Sequence, residues 1–181
     1  MSLSACARCA QRGPTCCRLT PGDEEYCFPL SELERARILD HCCDAGGFAL
    51  QLNSPDFIEN LERLFPGEDG AVRALFPRNK FHYRLAVDAE GACRFLRPDG
   101  CSLPRDIRPY YCRLFPFWFA EREMTFFQPA GCVAVEEGRT VNGVCSALRM
   151  GKREIRDLYG RLRLAWGLPP LAGMRPVKKT F

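Results

Sequence analysis

The chain has 181 residues, 46% of them hydrophobic and 27% charged, with a formal net charge of +4. That size supports one domain with a sizeable core, and the balance is that of a globular chain rather than a disordered one. The longest strongly apolar run, Leu114 to Ala120, contains a proline and is far shorter than a bilayer span, so no membrane span is expected.

Met1 to Arg8 lacks the apolar stretch of a secretory signal, which predicts a cytoplasmic protein with reduced thiols. A knot of cysteines follows at once: Cys6, Cys9, Cys16 and Cys17. Ser31 and Glu34 have capping-box spacing and open a helix running to about Cys43, with Leu33, Ala36 and Leu39 at helical spacing; Gly46-Gly47 ends it. Ser54-Pro55 starts a second helix with an apolar stripe of Phe57, Ile58, Leu61, Leu64 and Phe65, stopped by Pro66-Gly67. A helical turn over 71–76 precedes Pro77. Phe81, Tyr83, Leu85 and Val87 alternate with His82, Arg84 and Ala86 as in a strand. The turn over 88–91 then offers Cys93 to Leu96 as the hairpin partner. Met124 to Gln128 reads as a further short strand, and Ser146 to Trp166 as one long amphipathic helix weakened by Gly151 and Gly160. The expected fold class is α+β, a mostly helical single domain with a small antiparallel β-hairpin, organised around a cysteine-ligated metal site. It spans residues 1–167, with a helical insertion over about 27–80, and a basic tail follows over 168–181.

The cysteines carry the strongest chemical signal. Cys93, Cys101, Cys112, Cys132 and Cys145 form a spaced series about 75 residues after the knot. Thiols grouped this way without an export signal point to metal ligation rather than disulfides. The Cys6-x2-Cys9 spacing lets two thiolates turn back on one ion, a device of structural zinc and iron–sulfur sites alike. In an extended chain neighbouring side chains diverge, so Cys16 and Cys17 serve one ion together only where the backbone turns sharply. One zinc ion or one four-iron cluster takes four thiolates. Nine candidates therefore imply two sites or several buried spectators. Cys27, Cys42 and Cys43 read as small buried hydrophobes, and Cys145 as either a ligand or core of the last helix. His41 and His82 each sit inside a secondary element and read as surface or packing residues. All-thiolate coordination suits iron–sulfur clusters and Zn²⁺, and excludes magnesium and calcium.

The stretch Arg108-Pro109-Tyr110-Tyr111-Cys112-Arg113-Leu114-Phe115-Pro116-Phe117 completes a pattern with Cys6-x2-Cys9, Cys16-Cys17 and Cys93-Arg94-Phe95-Leu96 leading to Cys101. This pattern resembles the YkgJ-type cysteine-cluster family, described as a zinc- or iron-chelating domain and similar to a domain of flagellin lysine N-methylases. The resemblance covers roughly residues 6–132. The family's first knot is tighter, with two residues between the second cysteine and the pair where this chain has six. Carried over by position, the resemblance implies that Cys6, Cys9, Cys16 or Cys17, Cys93, Cys101 and Cys112 belong to the metal region, with Cys132 a further candidate. Arg108 and Arg113 have two readings, hydrogen bonding beside the thiolates or pairing with acids such as Asp106. Phe115, Phe117, Trp118 and Phe119 are expected to wall the site with apolar packing.

No phosphate loop, dinucleotide fingerprint or nucleophile elbow is present, and no catalytic residue stands out. Glu24-Glu25 and Glu136-Glu137 are adjacent pairs that read as solvated loop residues. Residues 149–181 carry nine Lys and Arg against two acids. That is either a solvated face or a contact for an acidic protein or nucleic acid. Three functions fit: an iron–sulfur (4Fe-4S) protein with a redox or sensing role, a protein with structural Zn²⁺, or a metal-dependent modifying enzyme or adaptor acting on a protein or nucleic acid.

Overall fold

The computed structural model describes residues 4–12, 15–43 and 45–171. The Ser4 side chain accepts from the Ala7 amide and caps α1 (Ala5–Cys9). The predicted capping box opens α2 (Glu32–Cys42), which ends where Cys43 takes a left-handed φ of 52°. β1 (Phe48–Leu52) follows, then α3 (Pro55–Leu64), capped by Ser54 with proline in its first turn, and α4 (Asp69–Leu75). Next come β2 (Phe81–Leu85), β3 (Leu96–Arg97), β4 (Gly100–Cys101), α5 (Tyr110–Leu114), β5 (Phe117–Ala120) and β6 (Glu123–Phe126). Three helices close the described chain: α6 (Val133–Gly138), α7 (Val141–Leu148) and α8 (Lys152–Trp166). The class is α+β, mostly helical, with small antiparallel pairs β1-β2, β3-β4 and β5-β6.

Two expected elements come out differently. β2 pairs with β1, in the register Phe48↔Leu85 to Leu52↔Phe81, rather than with Cys93 to Leu96. The reason is competition for backbone groups. The Cys93 amide donates to the Cys17 carbonyl (2.9 Å), so only a single bridge, Val87↔Cys93, remains of the expected hairpin. The expected long helix is split. Arg149 adopts a left-handed φ of 54° and ends α7, the Met150 side chain plugs the core, and α8 restarts from Gly151.

The main core packs the α3 stripe Phe57, Ile58, Leu61 and Phe65 with Ile155, Leu158, Tyr159 and Leu162 of α8. Trp118 of β5 joins them, with ring centroids 5.5 Å from Phe65 and 5.2 Å from Tyr159. Residues 27–80, expected as a helical insertion, supply part of the core and include the strand β1 besides their helices. A smaller core of Ile38, Phe95 and Leu103 backs Cys93 and Cys101.

Part of the basic segment is used internally. Arg163 is 1% exposed, grips Glu68 at 2.8 and 2.6 Å, and also donates to the Pro169 carbonyl. Leu168 is buried, so packing continues past residue 167, while 172–181 lie outside the described residues. Glu136 and Glu137 lie on α6, not in a loop, and pair with Arg12 (2.6 Å) and Arg8 of the N-terminal segment. No described helix is long and apolar enough to cross a membrane.

His82 gives the fold a pH dependence. Its ring stacks on Phe57 (3.9 Å), and Asn53, fixed by donating to the Pro77 carbonyl, accepts from Nδ1–H at 2.8 Å. Nε2 is left buried without a partner, and burial, with the Arg84 charge nearby, pulls the pKa down to about 4. The unfolded chain then binds more protons than the folded one below its ordinary value near 6.5. Stability accordingly falls as pH drops from about 6.5 towards 4, by on the order of 2 kcal/mol. Urea denaturation across that window will show the slope, and His82→Gln will flatten it.

Candidate metal centre

The site begins with local backbone geometry. Cys6 and Cys9 are three apart in α1 and so share one face of it. Cys16 and Cys17 occupy the tip of a tight turn closed by reciprocal hydrogen bonds between Thr15 and Arg18 (3.0 and 2.9 Å). The sharp turn needed for the pair to act together is thus present, and the two Sγ atoms stand 3.8 Å apart. That turn docks on the segment 91–93 through Cys93 N–H to Cys17 O and Leu19 N–H to Gly91 O, both 2.9 Å. Gly91 has φ +80°, and a Cβ there would run into the Leu19 carbonyl, so the close approach requires glycine.

The other thiols arrive on separate elements. Cys101 lies on β4, Cys112 in the middle of α5, and Cys132 at the N-cap of α6. α2 holds α5 in place. Glu34, 1% exposed, completes its capping box through Oε2 and accepts the Tyr110 amide on Oε1 at 2.7 Å. Three residues along, Arg37 donates to the carbonyls of Ile107 and Arg108 (3.3 and 3.0 Å).

Cys6, Cys9, Cys16, Cys17, Cys93, Cys101, Cys112 and Cys132 all line one partly open cavity of about 80 Å³. That is several times the roughly 10–15 Å³ that admits one water. Its remaining walls are mainly carbon, including Leu85, Leu96, Leu103 and Phe115, and Arg108 is its one charged liner among the described residues. Cys16 and Cys112 keep accessible surface although the surrounding chain desolvates them, as expected for thiols that face an internal space. All twelve cysteines are free thiols. Among the described residues no three His, Cys, Asp or Glu side chains are drawn together as a site for a single ion. The eight cysteines are distributed among the liners of the one cavity.

Electrostatics divide the ring. Burial pushes Cys6 and Cys101 up, offset in part by the Arg108 guanidinium, and takes Cys93 to about 12. The Cys16 thiol donates to Cys17, which raises the first and lowers the second; burial adds to the rise at Cys16 and opposes the fall at Cys17, where Arg108 assists. Cys112, raised by burial, lies within electrostatic reach of Cys17, Cys93 and Cys101. Cys9 and Cys132 form a separate pair between α1 and α6. Their interaction lowers Cys9 to about 6 and raises Cys132, and the Cys9 thiol also reaches the Gly131 carbonyl at 3.6 Å. The thiolate forms needed for ligation thus require compensating positive charge; Arg108 supplies it from the cavity wall, with Arg105, Arg12 and Arg97 acting on Cys6, Cys9 and Cys101 from further off.

Arg108 and Arg113 part company here. Arg108 lines the cavity and donates to the Leu103 and Cys101 carbonyls (2.8 and 3.4 Å), tying charge and loop together. Arg113 is not a liner; it reaches the backbone carbonyl of Asp106 and lies over the Tyr110 ring. Of the expected aromatic wall only Phe115 faces the cavity, while Phe117, Trp118 and Phe119 are buried in the main core. Cys42 donates to the Ile38 carbonyl within α2, and Cys145 packs on the main core, so neither enters the ring. The contribution of Glu34 was hidden in the sequence because its capping box gave it a complete local role. No family model, no curated protein and no solved structure matches the chain.

Glu34→Ala leaves the Tyr110 amide and the Ser31 cap unpaired, and should cost about 2–3 kcal/mol in chemical denaturation. Glu34→Gln, which keeps the acceptor toward Tyr110, should recover more than half of that loss. Arg108→Met keeps the volume but frees two carbonyls, and a loss of about 1–3 kcal/mol is expected by the same measurement.

Proposed function

We propose that the chain is a metal protein whose ring of cysteines holds an iron–sulfur cluster, serving a redox or sensing role. The observation that carries this is that eight thiols from both halves of the chain line one cavity whose other walls are mainly carbon. A single zinc ion takes four ligands drawn close around a point. Sulfurs spread around a wall better suit a guest with volume of its own, such as a cluster that brings several irons to the thiolates. The donor set fits: soft, thiolate, with histidine and carboxylate absent from the lining. The resemblance to the YkgJ-type family rests on the same cysteines and favours a metal there, zinc or iron alike.

Cys6, Cys17, Cys101 and Cys112 are the foremost ligands in this reading, with Cys16 and Cys93 beside them and Cys9–Cys132 as a flanking pair. When bound, a cluster supplies one-electron chemistry. The chain's part is to exclude bulk water with carbon walls and to set charge through Arg108. Free thiols on this scale require a reducing compartment, so we place the protein in the cytoplasm. The exposed Arg149, Lys152, Arg153 and Arg156 form the surface offered to an acidic partner, protein or nucleic acid.

Anaerobic purification from iron-supplied cells, followed by metal and sulfide analysis and a visible spectrum, tests the reading. Iron and acid-labile sulfide in equal amounts, with broad visible absorption, are expected. Cys17→Ser and Cys112→Ser should each lower iron content roughly tenfold, and Cys43→Ser should leave it unchanged. A colourless protein with stoichiometric zinc and no iron or sulfide would replace the cluster with a structural Zn²⁺ site.

A further inference from the structure

The wall of the cysteine chamber has a second side. A pocket of about 350 Å³ lies against it, and Cys16, Cys17, Cys93 and Cys112 line both spaces. Its size is in the range of small-ligand sites. Only Arg18 and Asp23 among its liners are charged, one of each sign. Cys27 faces this outer pocket and not the inner chamber. Burial takes its thiol up to about 11, so it stays neutral. A net charge on an occupant would find no excess of the opposite sign here.

Tyr111 supplies direction. Its ring is fixed by stacking on Phe28, with centroids 3.3 Å apart and planes 13° apart, and by an edge contact with Phe115 at 5.7 Å. Its hydroxyl makes no hydrogen bond to any described residue, and Cys16, Cys112, Cys27 and Cys17 lie within its electrostatic reach. A phenol held rigidly in a pocket wall, with a free O–H, is a donor awaiting an acceptor. It stands at the boundary where the pocket meets the sulfurs.

We propose that this outer pocket binds a small uncharged organic molecule with an aromatic body and one carbonyl-type acceptor. The acceptor takes the Tyr111 hydroxyl, and the body lies against carbon walls and the accessible sulfurs of Cys16 and Cys112. Carbon lining favours the apolar body, sulfur–ring contact adds to it, and the unpartnered Tyr111 hydroxyl gives the acceptor a fixed donor to meet. Binding itself does not need the metal. That the bound molecule would stand next to a metal centre rests on the function proposed above.

Prodan, an uncharged naphthyl ketone whose emission reports both polarity and hydrogen bonding, is a suitable probe. It is titrated into the full chain as purified, with metal content measured on the same sample. Saturable one-to-one binding with blue-shifted emission is expected. Leu19→Trp and Thr20→Trp, which put bulk into the outer pocket alone, should each weaken binding about tenfold. Tyr111→Phe should weaken it about fivefold and shift emission further to the blue, since one neutral hydrogen bond is lost. Unsaturable binding, or unchanged affinity in a filling variant that keeps the wild-type circular dichroism spectrum, overturns the proposal; should one variant misfold, the other decides. Saturable binding to a preparation free of metal upholds the pocket and removes the metal reading. Metal without binding does the reverse.

Discussion

The hydrogen bond from the Cys93 amide to the Cys17 carbonyl is the joint on which the rest depends, together with its neighbour from Leu19 to Gly91. The N-terminal segment has little core of its own. α1 is five residues long, too short to persist alone, and buries only Ala5 and Ala7. Tethered to segment 91–93, and clipped to α6 by Arg8–Glu137 and Arg12–Glu136, it becomes one wall of the chamber. Exposed ion pairs of that kind contribute little individually. The backbone pairing and any guest held by the thiols therefore supply most of what keeps this wall in place.

The opposite wall depends on α2. A buried carboxylate that both caps its own helix and accepts the first amide of α5 fixes the distance between the two. Cys112 is thereby placed by a residue 78 positions earlier in the chain. Arg37 repeats the tie one turn further on. What reads in sequence as an insertion between two cysteine groups is, in three dimensions, the brace that sets one against the other.

Burying so many sulfurs around carbon walls has a consequence for chemistry. Each thiolate formed there meets a desolvation penalty and its neighbours' charge, and Arg108 offsets only part of it. Burial raises most thiols of the ring, whereas Cys9 and Cys17 are lowered by the neighbouring thiols of Cys132 and Cys16. A multivalent cationic guest changes that balance for the whole ring at once. The same sulfurs also form the floor of the outer pocket, so access from outside and ligation from inside meet at Cys16 and Cys112.

Local signals were legible wherever one stretch of chain decided the outcome. The Ser31/Glu34 box, the Ser54-Pro55 start, the apolar stripe of α3 and the strand character of Phe81 to Leu85 all rest on neighbours within a turn or two. The eight cysteines stood out as candidate ligands by their spacing, and the fold lines one cavity with all of them. Tertiary structure alone decided the partner of β2, since two segments competed for its edge and Cys93 was already engaged. It also decided the break at Arg149 to Gly151, where burying Met150 outweighs helix continuity. Arg108 and Arg113 carry the same side chain five residues apart, but Arg108 precedes α5 and is held to the Leu103 and Cys101 carbonyls beside the chamber, while Arg113 lies in the last turn of α5 and reaches Asp106. The sequence by itself determined which atoms are suited to hold a soft guest. Only the fold decided that they line one space, because a shared cavity is a property of long-range contacts that no local spacing encodes.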